Sequence, residues 1–115
     1  MSEGATISIL VFGIDSAVTD KVSARLQSQG VDARSLAISN TPESDAEIQR
    51  VAGEKNWSGL IVGHGVRQDQ EWFERVMKIV NEVSPNISTV NTKGPDDVEN
   101  AIERHFNVKL PLTRA

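Results

Sequence analysis

Ile7-Ser8-Ile9-Leu10-Val11-Phe12, closed by Gly13, is the stretch on which the fold turns. It is short, almost wholly apolar, and rich in branched and aromatic side chains. A run of this kind without polar alternation reads as a strand buried on both faces, the condition of a central strand in a parallel sheet. A second such run lies in residues 57–62, where Leu60-Ile61-Val62 forms an equally apolar centre. Between and beyond them the spacing of apolar residues switches to the helical period. Residues 16–29 carry Val18, Val22 and Leu26 on one helix face, with Gly30 placed as the left-handed residue just past the end. Residues 31–38, interrupted by Ala33 and Arg34, read as a weaker edge strand.

The remaining elements follow from caps and breakers. Thr41-Pro42 reads as a helix entry with proline at the first position, and Ser44 with Glu47 offers a competing capping box. Either start yields a helix that buries Ile48, Val51 and Ala52 and ends near Lys55. Asp69 caps a third helix, with Trp72, Phe73, Val76, Met77 and Val80 on one side, and Pro85 stops it. Residues 87–90 form a fourth strand. Gly94-Pro95-Asp96-Asp97 opens a last helix whose early acids complement its dipole and whose buried stripe is Val98, Ala101, Ile102 and Phe106.

Four strand–helix units in 115 residues, about 29 residues per unit, predict right-handed crossovers between parallel strands. The expected fold is α/β: a three-layer, open, parallel four-stranded sheet of order 2-1-3-4, with the two most apolar strands in the middle. That is a shortened flavodoxin-like arrangement. Residues 1–108 read as one such domain and residues 109–115, with Pro111, as a C-terminal tail.

Composition narrows the function. Lys plus Arg number 12 against 16 Asp plus Glu, a formal charge of −4, which speaks against a protein that tracks nucleic-acid phosphates. There is no cysteine, so disulfides, thiolate catalysis and cysteine metal centres are excluded. No apolar run approaches membrane-spanning length and residues 1–4 carry no signal-peptide pattern, so the expected setting is the cytoplasm. Without a secretion signal, the glycosylation patterns at Asn56-Trp57-Ser58 and Asn86-Ile87-Ser88 are read as coincidence.

Ligands of open parallel sheets sit beyond the carboxyl ends of the strands, where the strand order reverses. Here that crevice lies between the ends of the first and third strands. The loops facing it present Asp15 and Ser16, then Gly63, His64, Gly65 and Arg67, and from the fourth strand Asn91, Thr92 and Lys93. Arg67, Lys93 and loop amides suit a phosphate or carboxylate, and His64 and Asp15 are the candidates for proton transfer. The same residues also suit ordinary loop solvation and capping, and His64 in particular suits a hydrogen bond to its own loop. His105, near the end of the last helix, reads as a partly buried histidine stabilised by the helix dipole. With the two histidines on different elements, no metal site is expected.

Other chemistries fail on residues. Gly63-His64-Gly65 is no dinucleotide fingerprint: Gln68 stands where a glycine is required, and the loop follows the third strand rather than the first. Adjacent Asp15 and Ser16 cannot flank one imidazole, so Ser16, His64 and Asp15 make no hydrolase triad. Gly13-Ile14-Asp15-Ser16 is a poor flavin phosphate loop and the chain has no tyrosine, so no cofactor is expected. The reading is therefore a binder of a small anionic molecule, with or without catalysis. The alternative is a non-catalytic interaction domain using its sheet edges or helices, with a homodimer as its simplest form.

Two resemblances accompany this reading. Asp15, Thr92 and Lys93 loosely resemble the acid, hydroxyl and lysine positions of response-regulator receiver domains, although Gly63-His64 stands where those carry the phosphoacceptor aspartate. The second half of the chain is similar to a family of small uncharacterised bacterial and fungal proteins that read G-x-G-V-R after the third strand, then N-T-[KR] and P-D-D. Here those are Gly63-His64-Gly65-Val66-Arg67 and Asn91-Thr92-Lys93-Gly94-Pro95-Asp96-Asp97, with Gly94 inserted between Lys93 and Pro95, and Glu71-Trp72-Phe73-Glu74 is also similar. The resemblance implies the same crevice and no particular reaction.

Overall fold

The apolar run at the amino-terminal end forms strand β1 (Ser8–Gly13), every residue of which is buried. This architecture comes from a computed structural model of the chain that describes residues 7–110. Residues 1–4, examined for a targeting signal, and residues 111–115 of the expected tail lie outside the described residues. β2 (Asp32–Ala37) and β3 (Gly59–Val62) flank β1, and β4 (Ser88–Thr89) lies beyond β3. All pairings are parallel and the order is 2-1-3-4. Leu10 is level with Arg34 and Leu60, and Phe12 with Leu36 and Val62.

Because successive strand residues point to opposite faces, β1 feeds two cores. Leu10 and Phe12, with Leu60 and Val62, pack beneath α2 (Pro42–Ala52) and α4 (Gln70–Val83), meeting Ile48, Val51, Val76 and Val80. Ile9 and Val11, with Ile61 and Val90, pack beneath α1 (Ser16–Ser28) and α5 (Val98–Phe106), meeting Val22, Leu26, Ala101 and Ile102. The sheet is thus the middle of three layers, a small flavodoxin-like α/β fold. Burying one such branched or aromatic side chain contributes about 1.5–3 kcal/mol, so the doubly covered β1 anchors both halves. Among the described residues no helix is long and apolar enough to cross a membrane.

The caps act as the sequence anticipates in several places. Asp69 accepts the Trp72 amide at 3.2 Å, and Thr41 accepts that of Ser44 at 3.2 Å, with Pro42 in the first turn of α2. Gly30 has φ +86° and ends α1, its amide reaching the Gln27 carbonyl. Ser44, the competing cap, instead accepts the Ser39 amide and so braces the loop into α2.

Five local expectations are corrected. Val18 is 41% exposed rather than part of the buried stripe of α1, because Thr19 takes the inward position in that turn. β3 begins at Gly59, not at residue 57: Trp57 leaves the ladder, buries its ring, and donates its indole N–H to the Val51 carbonyl. The segment after β3 is a helical turn, α3 (His64–Arg67), where a plain loop was expected. His105 is exposed, its ring set edge-on to Phe106 at 4.7 Å. The last helix also starts later, after a 3-10 turn at Pro95–Asp97.

Candidate functional site

The two innermost strands end side by side. The Gly63 amide donates to the Phe12 carbonyl at 2.7 Å, so the chain leaves β1 and β3 from one point. After β1, Asp15 takes an extended conformation and its carboxylate accepts the Ala17 amide at 3.0 Å, capping α1. After β3, the Gly63 carbonyl accepts the amides of Val66 and Arg67, which winds α3. Gly65 sits against Ile14: a Cβ there would lie 2.6 Å from the Ile14 Cδ1. Glycine therefore lets the two turns touch.

Between these turns, the start of α1 and the entry to α5 is a hollow of about 180 Å³. Its walls are Val11 and Ile61 from the sheet, Val18 and Val22 from α1, and Val98 from α5, with Ile14 at its edge. Asp15, Gly63, His64, Gly65 and Gly94 complete it. The hollow is thus far more apolar than the sequence suggests. Asp15 and His64 are exposed. His64 Nε2 lies 3.1 Å from the Gln68 side-chain nitrogen. With that amide donating, the ring Nε2 accepts and Nδ1 carries the proton in the neutral form.

The other expected residues do not line the hollow. Ser16 is exposed in the first turn of α1. Arg67, half-buried, donates from Nη2 to the Thr92 carbonyl at 3.0 Å and so ties α3 to the loop that follows β4. Its Nε is buried without a hydrogen-bond partner among the described residues. Asn91 and Lys93 are exposed, and the Lys93 amide donates to the Asp97 carboxylate at 3.1 Å. The structure therefore brings Asp15, Gly63, His64 and Gly65 onto one hollow. It sets Arg67, Thr92 and Lys93 on the adjoining loop pair, joined to the hollow through Gly65 and Gly94.

Charges around the site are paired in a particular way. Arg25 of α1 grips Glu99 of α5 through Nε and Nη2, with Gln29 adding a 3.0 Å bond. The guanidinium hydrogen bond holds the Glu99 carboxyl below its usual range, and Glu99 raises Arg25 in turn. This pair spans the two helices that wall the hollow. Asp97 is likewise held low, first by its bond from Arg104 and then by the Lys93 amide. The Asp15 carboxylate occupies the positive end of the α1 dipole, which leaves that terminus ill suited to a second anion.

Sequence reasoning missed Ile14, Val18 and Thr19 as lining. Ile14 was the legible sign: an isoleucine in a turn directly after a strand, 61% exposed in the fold. No family model matches the chain, and no curated protein or solved structure matches it either.

Proposed function

We propose that this protein binds a small molecule bearing a phosphate or carboxylate at the carboxyl ends of β1 and β3, with Arg67 holding the anionic group. One observation carries the reading. Of the six arginines among the described residues, Arg25, Arg34, Arg50, Arg75 and Arg104 each hold a carboxylate, and Arg67 alone does not. It meets a main-chain carbonyl instead, with Nε unpaired. A buried donor without an acceptor is unfavourable by about 1–3 kcal/mol, and a guanidinium that turns from the Thr92 carbonyl presents its fork to an oxyanion, the partner it fits best. Lys93 adds positive charge on the neighbouring loop.

His64 is the group we assign to any proton transfer, since it is exposed at the hollow and an imidazole can both accept and donate a proton. Asp15 is engaged as a helix cap. The resemblance to the small bacterial and fungal family rests on the same two segments, Gly63-His64-Gly65-Val66-Arg67 and the run from Asn91 to Asp97. The acidic balance, the missing cysteines and the expected cytoplasmic setting accord with a metabolite-binding role rather than a nucleic-acid one.

Titration of ¹⁵N-labelled protein with phosphate, sulfate and small carboxylates tests this. The amides of Gly63, Gly65 and Lys93 and the Arg67 side chain are expected to shift saturably. Arg67→Ala should weaken binding about ten- to a hundredfold, and Arg67→Lys, which lacks the fork, should fall between. Absence of saturable shifts at millimolar anion, or equal affinity in Arg67→Ala, overturns the reading.

A second reading, a non-catalytic receiver-like interaction or dimerisation domain, draws on Ile14 and Val18, which are 61% and 41% exposed side by side at the start of α1. Light scattering separates the two. An oligomer that survives Arg67→Ala and dissociates in Ile14→Asp favours the second reading.

A further inference from the structure

We infer that the ligand is an amphiphilic acid, a carboxylate or phosphate carried on an apolar body about the size of a benzene ring, rather than a sugar phosphate or nucleotide. This rests on the anion-binding reading above and adds the chemical class of the rest of the molecule.

The argument starts from the hollow's size and lining. Its volume is about 180 Å³, and its walls are the branched side chains of Val11, Ile14, Val18, Val22, Ile61 and Val98. An apolar cavity of about 150 Å³ is large enough to hold benzene, so a six-carbon ring or a branched chain of similar bulk fits here. Hydroxyl groups fit poorly. Each one placed among valine and isoleucine methyls gives up its water without a replacement partner, a loss of about five- to a hundredfold in affinity apiece. A ribose or a polyol is therefore disfavoured in proportion to its hydroxyls.

Ile14 and Val18 supply the second strand of the argument. They are the large apolar side chains of the described residues that stay most exposed, at 61% and 41%, and both belong to this hollow. Covering them with an apolar body removes that surface from water without stripping hydration from polar groups of the ligand.

The charges fix the orientation. The Asp15 carboxylate, bound to the Ala17 amide, makes the α1 side of the hollow negative. Gly65 and Gly94 also line the hollow, and the chain carries the cations next to this second side, Arg67 two residues after Gly65 and Lys93 just before Gly94. An acid group is repelled from the first side and attracted to the second, so the ligand lies with its apolar body between α1 and α5 and its acid at the loop pair tied by Arg67 and Thr92.

The test is a chemical series read by calorimetry and ¹⁵N chemical shifts: acetate, butyrate, 3-methylbutanoate and phenylacetate, with glycerate as the polar acid and benzyl alcohol as the neutral apolar probe. Affinity is expected to rise about fourfold per added methylene until the hollow is full, with glycerate no tighter than acetate. Val18→Trp, which fills the mouth from an exposed position, should erase the gain from acetate to phenylacetate while circular dichroism shows an intact fold. Two results overturn the inference and leave the anion-binding reading standing. In one, acetate and phosphate bind through Arg67 but phenylacetate is no tighter; in the other, the gain persists undiminished in Val18→Trp. Phenylacetate and benzyl alcohol binding alike, without loss in Arg67→Ala, overturns the acid and with it both conclusions. So does binding by none of the probes.

Discussion

Asp15 offers the sharpest division between a structural and a chemical role. Its carboxylate accepts the Ala17 amide at 3.0 Å on an exposed surface, as Thr41 and Asp69 cap α2 and α4 through bonds of 3.2 Å each. Replacing such a cap by alanine removes about 1 kcal/mol, and losing the charge at the helix terminus removes about 0.5 kcal/mol more. In a domain of this length that sum lowers the melting temperature by about 5 °C. Asp15→Asn keeps an acceptor in place, so it should lose only the smaller charge contribution, under about 2 °C. Both variants remove one negative charge from the hollow. A like charge a few ångströms away in water is worth up to about 1 kcal/mol, so anion affinity should rise in each, by no more than about fivefold. Thermal unfolding with Thr41→Ala and Asp69→Ala as parallel caps, combined with phosphate titration, measures both quantities. If Asp15→Ala unfolds no earlier than the wild type, the capping account fails. If Asp15→Asn binds anions more weakly than the wild type, Asp15 is a ligand-binding group and the orientation argued from its charge is wrong.

Two further outcomes follow from the packing and the ion pairs. Gly59→Ala places a Cβ 2.9 Å from Phe106 and Val90 and 3.1 Å from Ile9, so all three side chains must shift; a loss of about 1–3 kcal/mol in urea unfolding is expected, and a neutral result refutes the tight contact. Acid titration of stability tests the depressed carboxyls, Glu99 beside Arg25 and Asp32 beside Lys55 and Ser8. Because their folded pKa values lie below the unfolded ones, the stability they add is present above about pH 4 and is lost as pH falls through the lowered values. Glu99→Gln and Asp32→Asn should each flatten that acid limb by up to about 1 kcal/mol, consistent with half-exposed pairs; an unchanged limb refutes the assignment.

The Arg25–Glu99 pair also bears on the site. It joins α1 to α5 across 74 residues of sequence, and these two helices supply Val18, Val22 and Val98 to the hollow. A loosened pair leaves the walls of the hollow held by packing and by neutral hydrogen bonds such as that from Gln29, so the Glu99→Gln variant doubles as a check on how firmly those walls are set.

What the sequence by itself determined was everything carried by local period and local capping. The unbroken apolar runs around Leu10 and Leu60 already required two inner strands, and the four-unit spacing required parallel crossovers. Thr41, Asp69 and Gly30 marked helix ends because their bonds are made to residues a few positions away. The tertiary structure alone decided which charged group meets which, since Arg75 finds Asp45 and Arg25 finds Glu99 only when helices far apart in sequence are packed together. It also decided that Val18 stays exposed, that residues 64–67 wind into a turn, and that Arg67 receives a carbonyl where every other described arginine receives a carboxylate. Periodicity reports which face of an element is apolar. It does not report where that element ends relative to its neighbours, and a hollow is made of those ends.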